Sequence, residues 1–133
     1  MFLLDTNVVS ELRRVRPHGA VIAWLGATPG EHLFLSAVTI GEMQAGVELT
    51  REQDAAKAAE IEGWIDSVAE TFNILPVDTA VFRRWAVLMH RRAGDLSEDA
   101  MIAATALIHN LTVVTRNVRD FDAFGVVTLN PFR

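Results

Sequence analysis

The sequence predicts an α/β fold built on a short parallel sheet. Short apolar runs alternate with longer segments whose apolar residues recur every three or four positions, the signature of strands separated by helices. Strands joined through helices run parallel and are covered on both faces, so they read as unbroken apolar stretches. The first run, Phe2-Leu3-Leu4, ends abruptly at the carboxylate of Asp5. An acid at the carboxyl end of a buried strand sits where open α/β sheets place their ligands.

Element by element, a strand is expected over about 2–5, then a helix over about 7–14 capped by Thr6 or Asn7. Val21, Ile22, Trp24 and Leu25 mark a second helix over about 18–27, stopped by Pro29-Gly30. Leu33 to Ser36 reads as a short buried strand. Thr39 is expected to open the next helix, which continues to about Leu49. Ala55, Ala58, Ile61, Ile65 and Val68 give the segment 51–71 an amphipathic helical pattern. Phe72 to Val77 is a strand or extended segment ending near Pro76, and a helix over about 79–92 carries Val81, Phe82, Trp85, Leu88 and Met89. Ser97 to His109 is an alanine-rich helix. The β-branched run Leu111 to Thr115 is a strand, and Val126 to Leu129 is the last. The 133 residues are expected to form one domain.

Composition removes several chemistries. There is no cysteine, so disulfides, thiolate zinc sites and cysteine nucleophiles are excluded. His18, His32, His90 and His109 show no HxH or HExxH spacing, and there is no GxxxxGK[ST], GxGxxG or GxSxG motif. No apolar stretch approaches the roughly 20 residues of a membrane span, and no signal-peptide pattern opens the chain. A cytoplasmic protein without membrane contact is expected. The net charge is −5, yet eleven of the twelve cations are arginine, a residue suited to bidentate phosphate contacts.

Three later segments repeat the placing of Asp5. Glu42 lies in Ser36-Ala37-Val38-Thr39-Ile40-Gly41-Glu42, where Thr39-x-x-Glu42 also reads as a capping box in the helix's first turn. Asp99 follows Ser97-Glu98, where acids favour a helix N-terminus without further function. Thr115, Asn117 and Asp120 form a polar cluster after the β-branched strand, with Asn117 and Asp120 three residues apart. In a parallel sheet all strand carboxyl ends face one side, so these acids can converge. Gathered carboxylates repel one another unless cations intervene. Mg²⁺ or Mn²⁺ suits such an all-oxygen site and leaves water positions for a phosphate substrate.

Leu4-Asp5-Thr6-Asn7-Val8-Val9-Ser10-Glu11-Leu12, Ser36-x-x-Thr39-x-x-Glu42, Asp99-x-x-Ile102-Ala103-Ala104-Thr105-Ala106 and Thr115-Arg116-Asn117-x-x-Asp120-Phe121 together resemble the PIN-domain ribonucleases. They are most similar to the VapC-type and FitB-type toxins of bacterial toxin–antitoxin pairs. The resemblance implies a PIN-like fold, a short parallel sheet flanked by helices with an acidic pocket at the carboxyl ends of its strands. It implies a Mg²⁺- or Mn²⁺-dependent endoribonuclease, an RNA substrate, and a cognate antitoxin that blocks the pocket. A homodimer is expected, extending to a larger hetero-oligomer with the antitoxin; Trp64, Phe82 and Trp85 are aromatics available for it.

Carried over by position, Asp5, Glu42 and Asp99 would be metal ligands, and Asn7 and Thr115 would orient the carboxylates or the attacking water. Some relatives have aspartate where this chain has Asn117, so Asp120 is either the substitute acid or a partner orienting the ligands. Arg13, Arg14, Arg116 and Arg119 are the phosphate-contact candidates around the mouth. The competing readings are a metal-dependent phosphatase or DNA nuclease using the same carboxylates, and a PIN-like binding module without catalysis.

Overall fold

The computed structural model describes residues 1–133. Five short strands, β1 (Phe2–Leu4), β2 (Leu33–Ser36), β3 (Asn73–Leu75), β4 (Thr112–Val114) and β5 (Thr128–Leu129), form one sheet in the order β3-β2-β1-β4-β5. Every pairing is parallel, with Leu3 opposite Phe34 on one side and Val113 on the other. The expected sheet is therefore present; β2 has the expected bounds and the other strands are shorter than their apolar runs. The chain order reverses direction between β1 and β4, and the crevice at such a switch point is where an open α/β sheet receives ligands.

Strand alternation sorts the core into two layers. Leu3, Phe34 and Val113 face α6 (Ser97–His109) and α7 (Val118–Asp122), packing with Ile102, Ala103, Ala106 and Phe121. Leu4, Leu33, Leu35 and Val114 face the opposite layer, where α1 (Thr6–Val9), α2 (Gly19–Ala27) and α4 (Ala55–Thr71) contribute Val8, Val9, Val21 and Val68. Seven consecutive residues of α6, Ala100 to Ala106, are buried. The helix lies between the sheet and α5 (Thr79–Met89), with Val81 of α5 against Met101 and Ala104. Its alanines allow both neighbours to approach closely.

Helix starts differ from the sequence expectation in two instructive places. The first helix is capped by Asp5, not by Thr6 or Asn7: Asp5 Oδ1 accepts the Thr6 amide at 2.8 Å. This helix is one turn of α-helix followed by a tighter 3-10 turn over Ser10–Arg13. The helix α3 (Ala37–Arg51) is capped by Ser36, whose hydroxyl accepts the Val38 amide at 3.1 Å, so the capping box at Thr39 does not form. Two extra residues at the start bury Thr39 against Thr6, hydroxyl to hydroxyl at 3.4 Å, and move Glu42 into the helix's second turn. The pattern over 51–71 is also broken, by a turn at Glu52–Asp54 after which Asp54 caps α4. The helix over 79–92 stops at Met89, and Arg91 adopts a left-handed conformation at φ 61°. No helix is long and apolar enough to cross a membrane.

Candidate functional site

Asp5 is the buried anchor of the site, with 5% of its surface exposed. One carboxylate oxygen caps α1, and the other accepts the Thr115 hydroxyl at 2.8 Å and the Asn7 side-chain amide at 3.3 Å. Thr115 follows β4, the sheet neighbour of β1, so strand pairing alone brings residues 110 positions apart into contact. The Thr115 hydroxyl also accepts the Asn117 amide at 2.9 Å, and Asn7 Oδ1 accepts the Arg116 amide at 3.4 Å. Asn7 and Thr115 thus hold the carboxylate from two sides. Even so, burial raises the Asp5 pKa, against the lowering effect of Thr115 and Thr6, and the charge of Asp120 adds to the rise.

Glu42 approaches from α3, the helix after β2, and Asp99 from the first turn of α6, the helix before β4. Glu42 is half-buried and pushed up to about 8 by burial, then by the Glu98 carboxyl, then by the charges of Asp5 and Asp99. Its Oε1 is buried with no hydrogen-bond partner. Asp99 is raised to about 6 by burial, then by the charges of Asp5, Asp120 and Glu98. Asp5, Glu42, Asp99 and Asp120 therefore share one electrostatic environment.

Glu98 is the site acid that sequence reasoning passed over. It reads as an ordinary first-turn acid beside Asp99, yet it acts on both Glu42 and Asp99. The side chain before α6, Leu96, offers no cap, so the two acids also meet the helix's positive end. At the remaining corner, α7 begins after Asn117, whose carbonyl accepts the Asp120 amide at 3.2 Å. Asn117 contributes backbone groups, while the Asp120 carboxylate contributes charge to Asp5 and Asp99. The acids stand apart: no three of them gather closely enough to form a ready chelate. Mutual repulsion favours that spacing. The donor set is nonetheless all-oxygen and anionic, with one buried oxygen unmatched, which is the chemistry of a site for a hard divalent cation.

The rim arginines occupy different situations. Arg13 lies 6.0 Å from the Trp64 ring centroid, on a cleft of about 360 Å³ that Glu42 also lines. Arg14 is held by buried Glu11 at 3.1 Å. Arg116 lies 3.9 Å over the Phe132 ring, and Arg119 is exposed on α7. Of the aromatics expected at a dimer surface, Trp85 is committed internally, donating to the Ser97 carbonyl at 3.0 Å, and Trp64 packs on the core. Phe82 remains 51% exposed.

Comparison with known proteins agrees with this construction. Residues 2–126 match the PIN domain family. The VapC ribonuclease Y4jK of Sinorhizobium fredii is 36% identical, over 99% of this chain and 98% of its own length. Toxin FitB of Neisseria gonorrhoeae is 37% identical over 99% of both chains. The crystal structure of FitAcB from that organism matches with a TM-score of 0.87 at 35% identity, covering 100% of this chain and 99% of the other. A toxin–antitoxin complex from Klebsiella pneumoniae matches with a TM-score of 0.73 at 27% identity, covering 100% of this chain and 99% of that one. A sheet order that sets Asp5 beside Thr115, a ring of acids at its carboxyl edge and a match spanning nearly the whole chain have one explanation: the chain belongs to the PIN-domain family, alongside toxins of the VapC and FitB type.

Proposed function

We propose that the chain is a metal-dependent endoribonuclease that hydrolyses RNA phosphodiesters, acting as the toxin of a toxin–antitoxin pair. One observation carries this reading: at the carboxyl edge of the sheet, burial and then the charge of neighbouring acids raise the proton affinity of Asp5, Glu42 and Asp99. A cluster that resists its own ionisation is built for a positive partner. Asp5, Glu42 and Asp99 would hold Mg²⁺ or Mn²⁺, with Asp120 closing the far side. Bound there, the ion would supply Lewis-acid polarisation of the phosphodiester and a more acidic water.

The chain's own residues do the positioning. Thr115 and Asn7 fix the Asp5 carboxylate at 2.8 and 3.3 Å, so its orientation is set before any ligand arrives. Glu42, raised to about 8, can keep a proton near neutrality and release it when a cation enters, or accept one from an attacking water once ionised. Arg13, Arg14, Arg116 and Arg119 are the phosphate contacts at the mouth, offsetting the repulsion between RNA and an acidic pocket. Names among the relatives support the ribonuclease and toxin roles, and the Klebsiella complex supports an antitoxin partner. Exposed Phe82 and Val87 on α5 support a homodimer.

The test is cleavage of labelled RNA with Mn²⁺ or Mg²⁺ by the wild-type chain and by Asp99→Asn. The variant should keep its fold by circular dichroism and lose cleavage. Full activity in Asp99→Asn after contamination controls would refute the assignment. Running single-stranded DNA and nitrophenyl phosphate beside RNA separates a DNA nuclease or phosphatase, and an absence of Mn²⁺ binding by calorimetry would mark a silent binding module.

A further inference from the structure

One cation stands at the acidic site without entering it. Arg116 follows Thr115 directly, and its backbone amide donates to Asn7 Oδ1 at 3.4 Å, while the Asn7 side-chain amide donates to Asp5 at 3.3 Å. The arginine's backbone is therefore two hydrogen bonds away from the buried carboxylate. Yet no arginine ion-pairs with Asp5, Glu42, Asp99 or Asp120, and no cation figures among the influences on Asp5, Glu42 and Asp99. An unscreened cluster of acids attracts any guanidinium within reach. Arg116 is drawn elsewhere: its guanidinium carbon lies 3.9 Å from the Phe132 ring centroid, the shortest of the chain's three cation–aromatic contacts.

The Phe132 ring is held in that place from several sides. Its amide donates to Asn130 Oδ1 at 2.9 Å across a turn in which Pro131 is buried. Its apolar body packs on the core layer of Leu4, Val8 and Val9. The His18 ring meets it edge-on, with centroids 5.3 Å apart and planes at 69°. His18 is itself fixed, for its Nδ1 accepts the Ala20 amide at 3.2 Å and its backbone amide donates to buried Glu11 at 2.9 Å. Just before the turn, the Leu129 carbonyl accepts the Thr115 amide at 2.9 Å. The segment carrying Phe132 is thus tied to the strand end that carries Thr115 and Arg116. A planar guanidinium suits such a face, stacking on the ring while its N–H groups stay in water.

We propose that Phe132 is a positioning residue for the site: it holds the Arg116 guanidinium out of the acidic cluster and leaves the carboxylates to a divalent cation. Released from the ring, Arg116 would pair with Asp5 or Asp120 and compete with the ion from within the chain. Phe132 acts only through Arg116. The inference rests on the metal-dependent reading above and explains how an acidic site tolerates an arginine beside Thr115.

The experiment uses the full chain. Calorimetry measures Mn²⁺ affinity for the wild type, Phe132→Leu, Arg116→Gln and the double variant. Leucine keeps the apolar packing and removes the aromatic face, so Phe132→Leu should weaken Mn²⁺ binding by about fivefold, the factor that a stacking contact of ordinary strength represents. Phe132→Tyr should bind like the wild type. In the Arg116→Gln background Phe132→Leu should change nothing, because no guanidinium remains to be released. Unchanged affinity in Phe132→Leu, or an equal loss in both backgrounds, would overturn the proposal while leaving the metal site standing. A wild type that binds no Mn²⁺ would overturn both. A second readout needs no variant: in NMR spectra of the wild type, with and without Mg²⁺, the Arg116 Cδ protons should be shifted upfield by the Phe132 ring. Unshifted protons would overturn the stacking on which the proposal stands.

Discussion

Replacing Glu42 by glutamine should stabilise the fold at neutral and alkaline pH while removing metal-dependent activity. Glu42 is pushed from its ordinary 4.5 up to about 8, by burial first and then by Glu98, Asp5 and Asp99. The folded chain consequently holds a proton that the unfolded chain has released anywhere between those values. Stability present below pH 4.5 is thus lost as pH rises toward 8. At pH 7 the interval above the ordinary value is about 2.5 pH units, a ceiling of roughly 3 kcal/mol. Glu42 is only half-buried, so solvent screening reduces the figure to about 1–2 kcal/mol. Glutamine keeps the shape, carries no charge and can donate to the Glu98 carboxylate. For a chain of this size the gain corresponds to roughly 4–8 °C in Tm. Scanning calorimetry in chelator, from pH 4.5 to 8.5, measures it. The gain should be largest at pH 8.5 and vanish near pH 4.5. A gain that is equal at both ends, or a loss at pH 8.5, would refute the like-charge explanation.

Three further outcomes follow from the same contacts. Thr115→Val removes the 2.8 Å hydrogen bond to a buried carboxylate and should cost about 1–3 kcal/mol, read by urea denaturation; an unchanged midpoint would show that Asp5 is oriented without it. Glu11→Ala should destabilise by about 2 kcal/mol, because buried Glu11 accepts the His18 amide at 2.9 Å and holds Arg14; the check is again the denaturation midpoint. Mn²⁺ at 100 times its dissociation constant should stabilise the wild type by about 2.7 kcal/mol and Asp99→Asn by far less, and equal thermal shifts would remove Asp99 from the ligand set.

How much of this was legible in the sequence divides by distance along the chain. Apolar runs marked the three central strands, because a strand buried on both faces leaves an unbroken local signal, whereas the edge strands β3 and β5 are only partly buried and left a weaker one. Helices were legible for the same reason, but their starts were not. Thr6, Asn7 and Thr39 are all competent caps, and only the course of the preceding strand decides that Asp5 and Ser36 occupy the cap position. That choice matters for the site, since it turns Asp5 toward Thr115 and lifts Glu42 into the second turn of its helix.

The sequence by itself determined that acids would stand at the ends of parallel elements and that Asp5, Glu42, Asp99 and Asp120 could share a side of the sheet. It also determined the partners at hand, arginine instead of lysine or cysteine. The tertiary structure alone decided that Glu98 joins them, that Asp120 supplies charge where Asn117 supplies backbone, and that Arg13 lines one cleft with Glu42 and Trp64. The physical reason is that caps and periodicities act within a turn or a strand. The field at a carboxylate, by contrast, sums every charge that the sheet order brings near, including those more than 100 residues away.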